Sequence, residues 1–231
     1  FSDLKELLTM HADFNKMEEF KGKAPVLVLG ACNILSGRLT KFSSYNEVIQ
    51  PEHLMASACI PNLFPAVEIG QQAYWDGLFS DNPPIDVLIK KPIVGPFVPD
   101  EIWVIKINPT VADHIPTEIS EINDRRNQLE GNVSLFQNLG QIEFLNFLFE
   151  LGAYKEAHLA ARGVTHQIKI PKCFPDDPDQ PYHIPMIEMS PELQKSMNFA
   201  SKLDRDPSHI KLLIEDGYKQ GIKFLKEIGM I

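Results

Sequence analysis

The stretch AYWDGLFSDNPP, residues 73–84, places an acid and a glycine directly after two aromatic residues and ends in a proline pair. Just before it, AVEI and AYW are separated by GQQ and predict a short β-hairpin, because each run carries β-formers and the glycine favours a turn. Asp76-Gly77 follows the second strand of that hairpin. By itself an Asp-Gly pair is typical of a tight turn, so a chemical role for Asp76 has to rest on the surrounding sequence.

The segments before this stretch predict strands and a helix. VLVLGAC, residues 26–32, is a continuous apolar run typical of a buried strand. LSGRLTKF, residues 35–42, has Gly37 as a turn and predicts a strand that doubles back. Pro51 suits the first turn of a helix that EHLMASAC continues, and the prolines of IPNLFP end that helix.

Two segments after the stretch complete an α/β order. NPPIDVLIKK, residues 82–91, predicts a helix with Asn82 as its cap. EIWVIKIN, residues 101–108, is a second candidate for a buried strand. The resulting order of strand, helix, hairpin, helix and strand is that of an α/β protein.

The pattern becomes mainly helical after residue 116. Residues 116–152 carry apolar side chains at steps of three and four, which predicts one long amphipathic helix, or two in tandem with a break near Gly131 or Gly140. THQIKI, residues 165–170, and HIPMIEM, residues 183–189, are strand-like and are separated by a loop rich in proline and aspartate.

A final helix is predicted from DPSHIKLLIEDGYKQGIKFLKEIG, residues 206–229. Asp206 is its predicted N-cap, with Pro207 in the first turn. Gly217 and Gly221 lie four residues apart on its apolar stripe and would let another backbone approach closely there.

Composition limits the classes of partner. The 231 residues carry a formal net charge of −9, which argues against nucleic acid and disfavours electrostatic docking to anionic membranes. Three cysteines without CxxC spacing suit reduced thiols, so we expect a cytoplasmic location. The scattered histidines predict no metal site, and no apolar run approaches the roughly 20 residues of a membrane span.

Four features have both a chemical and a structural interpretation. Cys32 ends a strand as a nucleophile could, but GACNI lacks a second glycine and favours a small buried residue. His53 could be a base, although a packed or surface histidine is commoner. FLNFLFEL, residues 144–151, could contact lipid, but a helix face in the core is the simpler interpretation. The acids of residues 176–179 lack the spacing of a calcium loop and favour a solvated loop.

Residues 53–84 resemble the patatin-like phospholipase family. In that family a helix ends in a segment of small residues and proline, here ASACIPNLFP, and a hairpin then presents an Asp-Gly motif followed by an Asn-x-Pro segment. The counterparts are Asp76-Gly77-Leu78 and Asn82-Pro83-Pro84. VLVLGAC and EIWVIKIN are similar to the strands that flank this block in the family.

The resemblance implies a fold and a chemistry. The fold is α/β: residues 1–112 would form the C-terminal part of a three-layer α/β/α acyl hydrolase domain, and residues 113–231 a mainly helical extension packed on it. The activity is that of a lipid acyl hydrolase with a Ser-Asp dyad, in which Asp76 is the base. Gly77 would let the loop pass under the nucleophile, while Asn82 and Pro61 would support the loop and the substrate wall. No cofactor or metal is implied.

The sequence departs from the family pattern in two respects. Leu78 stands where glycine or alanine is usual, so we expect a reshaped loop or a narrower site. The GxSxG serine and the glycine-rich oxyanion loop have no counterpart here, so we expect them upstream of Phe1, which starts abruptly inside a predicted helix. The 231 residues alone would then not complete an acyl transfer.

Phospholipid or another glycerolipid is the implied substrate, with contact at the periphery of a membrane. An alternative, motivated by Leu78 and the helical extension, is a catalytically inactive scaffold that binds lipid or a partner protein. The apolar stripes of residues 113–231 also allow an interaction module or a dimer face. The oligomeric state is left open by the sequence.

Overall fold

The computed structural model describes residues 2–61, 63–112, 114–161, 167–168, 186–197, 201 and 204–231. These residues form two compact units. The first unit comprises Phe1–Pro99 and Val133–Gln167, and the second comprises Asp100–Asn132 and Ile168–Ile231. The predicted boundary at residue 112, between a patatin-like domain and a helical extension, is a different division of the chain and stays a prediction.

Helices and strands alternate in the first part of the chain, and helices dominate the rest. The α-helices are α1 Ser2–His11, α2 Met17–Phe20, α3 Pro51–Ser57, α4 Lys91–Val94, α5 Ile119–Glu150, α6 Glu156–Ala161, α7 Pro191–Ser196 and α8 Pro207–Glu227. The strands are β1 Val28–Asn33, β2 Arg38–Ser43, β3 Val67–Ile69, β4 Gln72–Asp76, β5 Val104–Lys106 and β6 Met186–Glu188. Short 3-10 helices cover Phe14–Lys16, Gly77–Phe79 and Ile85–Ile89. This order confirms the predicted α/β class with a long helical C-terminal region.

The first unit is built on a four-stranded antiparallel sheet with the strand order β2-β1-β4-β3. β1 doubles back into β2 as predicted, through a turn in which Gly37 has a φ of 67°. The predicted hairpin of β3 and β4 is also present, with Val67 opposite Tyr74. β4 therefore lies inside the sheet, and its last residue, Asp76, is opposite Ala31 of β1.

The sheet packs on α3 around a small aromatic and aliphatic core. Phe42 of β2 contacts Tyr74 of β4 edge to face, with ring centroids 5.4 Å apart. Phe42 also stacks on the imidazole of His53 in α3 at 4.4 Å. The other buried members of this cluster are aliphatic or small: Ala31, Ile49, Ala56, Cys59 and Val67. Burial of these apolar surfaces fixes α3 and the segment after it against the strands.

His53 is a packed residue, as one of the two sequence interpretations expected. Its Nδ1 accepts a hydrogen bond from the Gln50 backbone N–H at 2.9 Å, which satisfies a free donor at the start of α3. Burial lowers the pKa of His53, and the carboxylate of Glu47, 3.8 Å from Nε2, opposes this effect. The folded chain therefore stabilises the neutral form of the His53 imidazole relative to the charged form.

Because the folded chain favours neutral His53, its free energy of unfolding depends on pH. Because the pKa of His53 is lower in the folded chain than the usual 6.5, its contribution to the free energy of unfolding is present above pH 6.5 and is lost as the pH falls through the lowered value. We expect His53→Gln to remove this loss, since glutamine cannot become charged and can still accept the Gln50 N–H. Urea unfolding between pH 7.5 and pH 5 measures the difference. The exposed His11→Gln variant is the matched control and should lose stability with acid as the wild type does; the same slope in His53→Gln would contradict the assignment.

The helix α5 is continuous over 32 residues, so of the two predicted alternatives the single helix is confirmed. Its C-terminal half, in the first unit, buries three apolar side chains at steps of four and three: Leu135, Leu139 and Ile142. Phe144 and Phe147 are 58% and 52% exposed. The interpretation of FLNFLFEL as a core face is therefore wrong for these two rings, because they lie away from the buried stripe.

The second unit pairs β5 with β6 in parallel, with Val104 opposite Met186. Strand character is thus confirmed for EIWVIKIN and HIPMIEM. The interpretation of EIWVIKIN as a buried strand is wrong, because Ile105 and Ile107 are 74% and 72% exposed. Asp206 caps α8 as predicted, accepting hydrogen bonds from the backbone N–H groups of Ser208 and His209. Gly217 and Gly221 would let another backbone approach closely, but among the described residues nothing beyond the helix's own backbone lies within 4 Å of a Cβ placed there.

Some sequence predictions lie outside the described residues. They concern Cys173, the acids of 176–179 and most of THQIKI. Within the described ranges, no helix is both long enough and apolar enough to cross a bilayer.

Candidate active site

Asp76 is held in place by its backbone from two directions. As the last residue of β4 it is paired with Ala31 of β1. Its N–H donates to the carbonyl of Cys59 at 2.8 Å, in the segment that follows α3. The thiol of Cys59 in turn donates to the carbonyl of Pro65 at 2.8 Å and stabilises that segment. The strand end and the helix end therefore fix the position of the carboxylate together.

The Asp76 carboxylate is half-buried and carries one hydrogen bond from the turn that it begins. Its Oδ1 accepts the N–H of Leu78 at 2.8 Å, an arrangement typical of aspartate at a helix or turn start. Burial raises the pKa of Asp76, and the Leu78 hydrogen bond offsets part of that rise. In the part of the chain that the structure describes, no basic side chain pairs with this carboxylate. A carboxylate in this environment is a stronger base than an exposed aspartate.

Gly77 is required by a close backbone contact. A Cβ at this buried position would lie 2.8 Å from the carbonyl oxygen of Gly30 and 3.1 Å from its carbonyl carbon. Backbone atoms in a strand cannot move aside as a flexible side chain can. Any larger residue would therefore push the Asp76 turn away from β1.

We expect Gly77→Ala to lower the free energy of unfolding by about 1–3 kcal/mol, the usual cost of overpacking. Gly221→Ala is the matched control, since a Cβ there meets open space inside α8 and alanine is the better helix former by about 0.5–1 kcal/mol. Chemical denaturation followed by fluorescence measures both variants. A Gly77→Ala chain as stable as the wild type would show that the contact with Gly30 relaxes without cost.

Leu78 was expected to reshape the loop or narrow the site, and the turn that Asp76 begins is nevertheless present with leucine at this position. Its contribution to the carboxylate is the backbone N–H, which every residue except proline provides. Its side chain is half-buried. The substitution therefore leaves the hydrogen bond to Asp76 intact.

Pro61 lies two residues from the carbonyl that holds Asp76. It is half-buried and belongs to a turn in which the N–H groups of Leu63 and Phe64 both donate to the carbonyl of Ile60, at 3.3 and 3.1 Å. Since proline fixes φ, Pro61 restricts the path of this segment. The supporting role predicted for it remains a prediction.

Asn82 does not cap a helix, so that expectation is wrong. The 3-10 helix begins at Ile85 with Pro84 as the cap residue and no side-chain cap hydrogen bond. Asn82 lies two residues too early, because an N-cap has to precede the first helical residue directly. Its backbone is instead bound by Ser134 of α5: the N–H donates to Ser134 Oγ at 2.8 Å, and the hydroxyl donates to the Asn82 carbonyl at 2.8 Å.

The cysteines near the turn are structural. Cys32 is buried in β1, its thiol faces the carbonyl of Phe79 at 3.9 Å, and burial raises its pKa. The thiol is therefore held protonated, which agrees with the interpretation of Cys32 as a small buried residue. Burial also raises the pKa of Cys59, with the charge of Asp76 adding to the effect. The role of Cys59 in holding Asp76 was not predicted, because a backbone carbonyl leaves no signal in the sequence.

The second unit contains a separate cavity of about 790 Å³. Three of the charged side chains that line it bind other groups of the same unit. Arg125 donates to the carbonyl of Thr110 at 2.8 Å, and Glu188 pairs with Lys106 at 2.8 Å. Glu121 accepts the N–H of Thr117 before α5 at 3.2 Å. Among the described side chains of both units, no group of three or more histidine, cysteine, aspartate or glutamate residues could hold a metal ion.

The fold and the turn define an α/β protein with an aspartate presented at a strand end. Residues 2–89 match the family model described as Patatin-like phospholipase. The match contains all four strands of the first sheet and Asp76-Gly77, and it confirms the patatin-like resemblance for this part of the chain. No curated protein and no solved structure matches the chain.

Proposed function

We propose that the protein is part of a lipid acyl hydrolase in which Asp76 is the base of a Ser-Asp dyad. The observation that supports this most is the position of Asp76, which ends an inner strand and begins a turn that only glycine can continue. An Asp-Gly turn without chemical function does not need a half-buried carboxylate that lacks a basic partner. Partial burial of that charge costs stability, and active sites commonly carry such costs.

The proposed reaction needs a base that accepts a proton directly from a serine hydroxyl. As the serine Oγ bonds to the ester carbonyl carbon, its proton would move to the Asp76 carboxylate. Collapse of the tetrahedral intermediate breaks the bond from that carbon to the alcohol oxygen, which takes the proton from Asp76. Water then gives a proton to Asp76 while its oxygen attacks the acyl carbon. The fatty acid leaves, and the proton returns to serine.

The environment of Asp76 suits this task. A carboxylate paired with a basic side chain would have a lowered pKa and would be a weaker proton acceptor. Burial without such a partner raises the pKa of Asp76 instead. The remaining catalytic parts, a serine in a GxSxG turn and backbone N–H groups for the oxyanion, would come from polypeptide preceding Phe1.

The substrate that we propose is a phospholipid or another glycerolipid. Three apolar side chains are exposed on the segment after Cys59, whose carbonyl binds the Asp76 N–H, and on the turn that follows Asp76: Ile60, Leu63 and Phe79. They offer an apolar surface for a fatty acyl chain or for peripheral contact with a membrane. The net charge of −9 favours neutral or zwitterionic lipid over anionic lipid as the surface approached. The cytoplasmic location stays a prediction.

We expect Asp76→Asn in the protein expressed from the complete gene to lower ester cleavage by about 10²- to 10⁴-fold, the usual contribution of a general base. The matched control is Glu68→Gln, which neutralises an exposed carboxylate of β3 in the same sheet. Initial rates on a short-chain ester and on phospholipid vesicles provide the measurement. In the wild type, the acid limb of kcat/KM should lie above pH 3.8, since the pKa of Asp76 is raised. Turnover retained in Asp76→Asn would remove this residue from its proposed role.

The alternative of an inactive scaffold makes a different prediction for the same protein. A complete protein with another residue in place of the serine, yet with intact binding to lipid vesicles, would favour the scaffold. The structure gives no reason to prefer it on account of Leu78, because the Asp76 turn is intact with leucine at that position.

A further inference from the structure

The C-terminal half of α5 belongs to the same compact unit as the Asp76 turn. It is anchored there by the buried side chains of Leu135, Leu139 and Ile142. Ser134 and Asn138, four residues apart on this half of the helix, make hydrogen bonds to Asn82 and Asp81. Residues four apart share one helix face, so the two polar side chains act on the same stretch of loop.

Ser134 uses both hydrogen-bonding functions of its hydroxyl on one residue. Its Oγ accepts the N–H of Asn82 and donates to the Asn82 carbonyl, both at 2.8 Å. Asn82 is followed by Pro83 and Pro84, which have no N–H to offer. The two prolines can therefore donate no backbone hydrogen bond after Asn82, and Ser134 binds the Asn82 backbone from another element of the fold.

Asn138 binds the preceding residue. Its Nδ2 donates to Asp81 Oδ1 at 2.9 Å and to the carbonyl of Ser134 at 2.9 Å, and the side chain is buried. Asp81 is tied back to the Asp76 turn, because its N–H and that of Ser80 both donate to the carbonyl of Gly77, at 3.0 and 2.9 Å. A continuous chain of hydrogen bonds therefore runs from α5 to the residue that follows Asp76.

We propose that Ser134 and Asn138 are positioning residues that hold the loop from Gly77 to Asn82 and, through it, the carboxylate of Asp76. The consequence for catalysis rests on the proposed function, whereas the consequence for the carboxylate does not. The helix that contributes these residues lies outside the patatin-like match, which ends at residue 89. The C-terminal region thus completes the support of the turn rather than only following it in sequence.

Amide hydrogen exchange measured by NMR on the chain tests this proposal without substrate. The Asn82 amide reports the bond to Ser134, and the Leu78 amide reports the carboxylate, since it donates to Asp76 Oδ1. We expect Ser134→Ala to speed exchange at both amides by about threefold to tenfold, the value of one lost hydrogen bond. Ser134→Thr keeps the hydroxyl and should restore protection at both. Gln137→Ala, an exposed change on the same helix, is the matched control.

Three outcomes would overturn the proposal. Faster exchange at Asn82 alone would show a local contact with no effect on Asp76. Equal acceleration at the core strand amides of Ala31 and Cys32 would show general loss of stability instead of loss of positioning. An unprotected Asn82 amide in the wild type would show that the bond to Ser134 does not persist, and this measurement needs no variant.

Kinetics separate the positioning role from the proposed activity. In the complete protein, Ser134→Ala should lower kcat about tenfold or more with KM unchanged, because a misplaced base slows the chemical step and not binding. A complete protein that cleaves no ester would contradict the proposed function, and the exchange at Leu78 would still decide whether α5 positions Asp76. Unchanged kcat in an active Ser134→Ala enzyme would overturn the positioning role.

Discussion

The contact between Gly77 and the Gly30 carbonyl is the constraint on which the candidate site depends. A side chain at Gly77 would lie 2.8 Å from a strand carbonyl, so the turn after β4 exists in this form only with glycine. Because the turn lies so close to β1, Asp76 ends its strand opposite Ala31 and takes the Leu78 N–H on Oδ1. The direction of the carboxylate thus follows from a backbone contact that involves no functional group.

Local patterns in the sequence were sufficient to predict the strands that carry the candidate site. The strand VLVLGAC is indicated by a continuous apolar run, and the hairpin before Asp76 by β-formers on both sides of a glycine turn. Both signals act over a few positions. Contacts over longer distances were not predictable. Ser134 binds Asn82 across 52 residues of chain, and nothing in the composition of a long amphipathic helix marks one serine as a loop ligand. Asn82 itself has the residue type of a cap, but the helix starts later. Gly217 and Gly221 show the same limit, since a stripe of small residues does not reveal whether another backbone lies against it.

The electrostatics of Asp76 connect the fold to the proposed chemistry. A carboxylate loses hydration when it is buried, and the fold recovers only part of this cost through one backbone N–H. The two acids that follow in the chain, Asp81 and Asp86, both have side-chain partners. Asp81 receives the amide of Asn138, and Asp86 pairs with Lys41 at 3.9 Å and with Lys90. Asp76 alone among these three has no side-chain partner in the described residues, which is the environment of a base and not of a structural ion pair.

Titration of the Asp76 carboxyl carbon by NMR tests this account most directly. The chain needs to be labelled at aspartate, and the Asp76→Asn variant assigns the signal. We expect a midpoint above the usual aspartate value of 3.8, because burial is the largest influence on the pKa of Asp76. A midpoint at or below 3.8 would mean that the folded chain stabilises the charged carboxylate, and Asp76 would then be the cap of a turn and not a base held for catalysis.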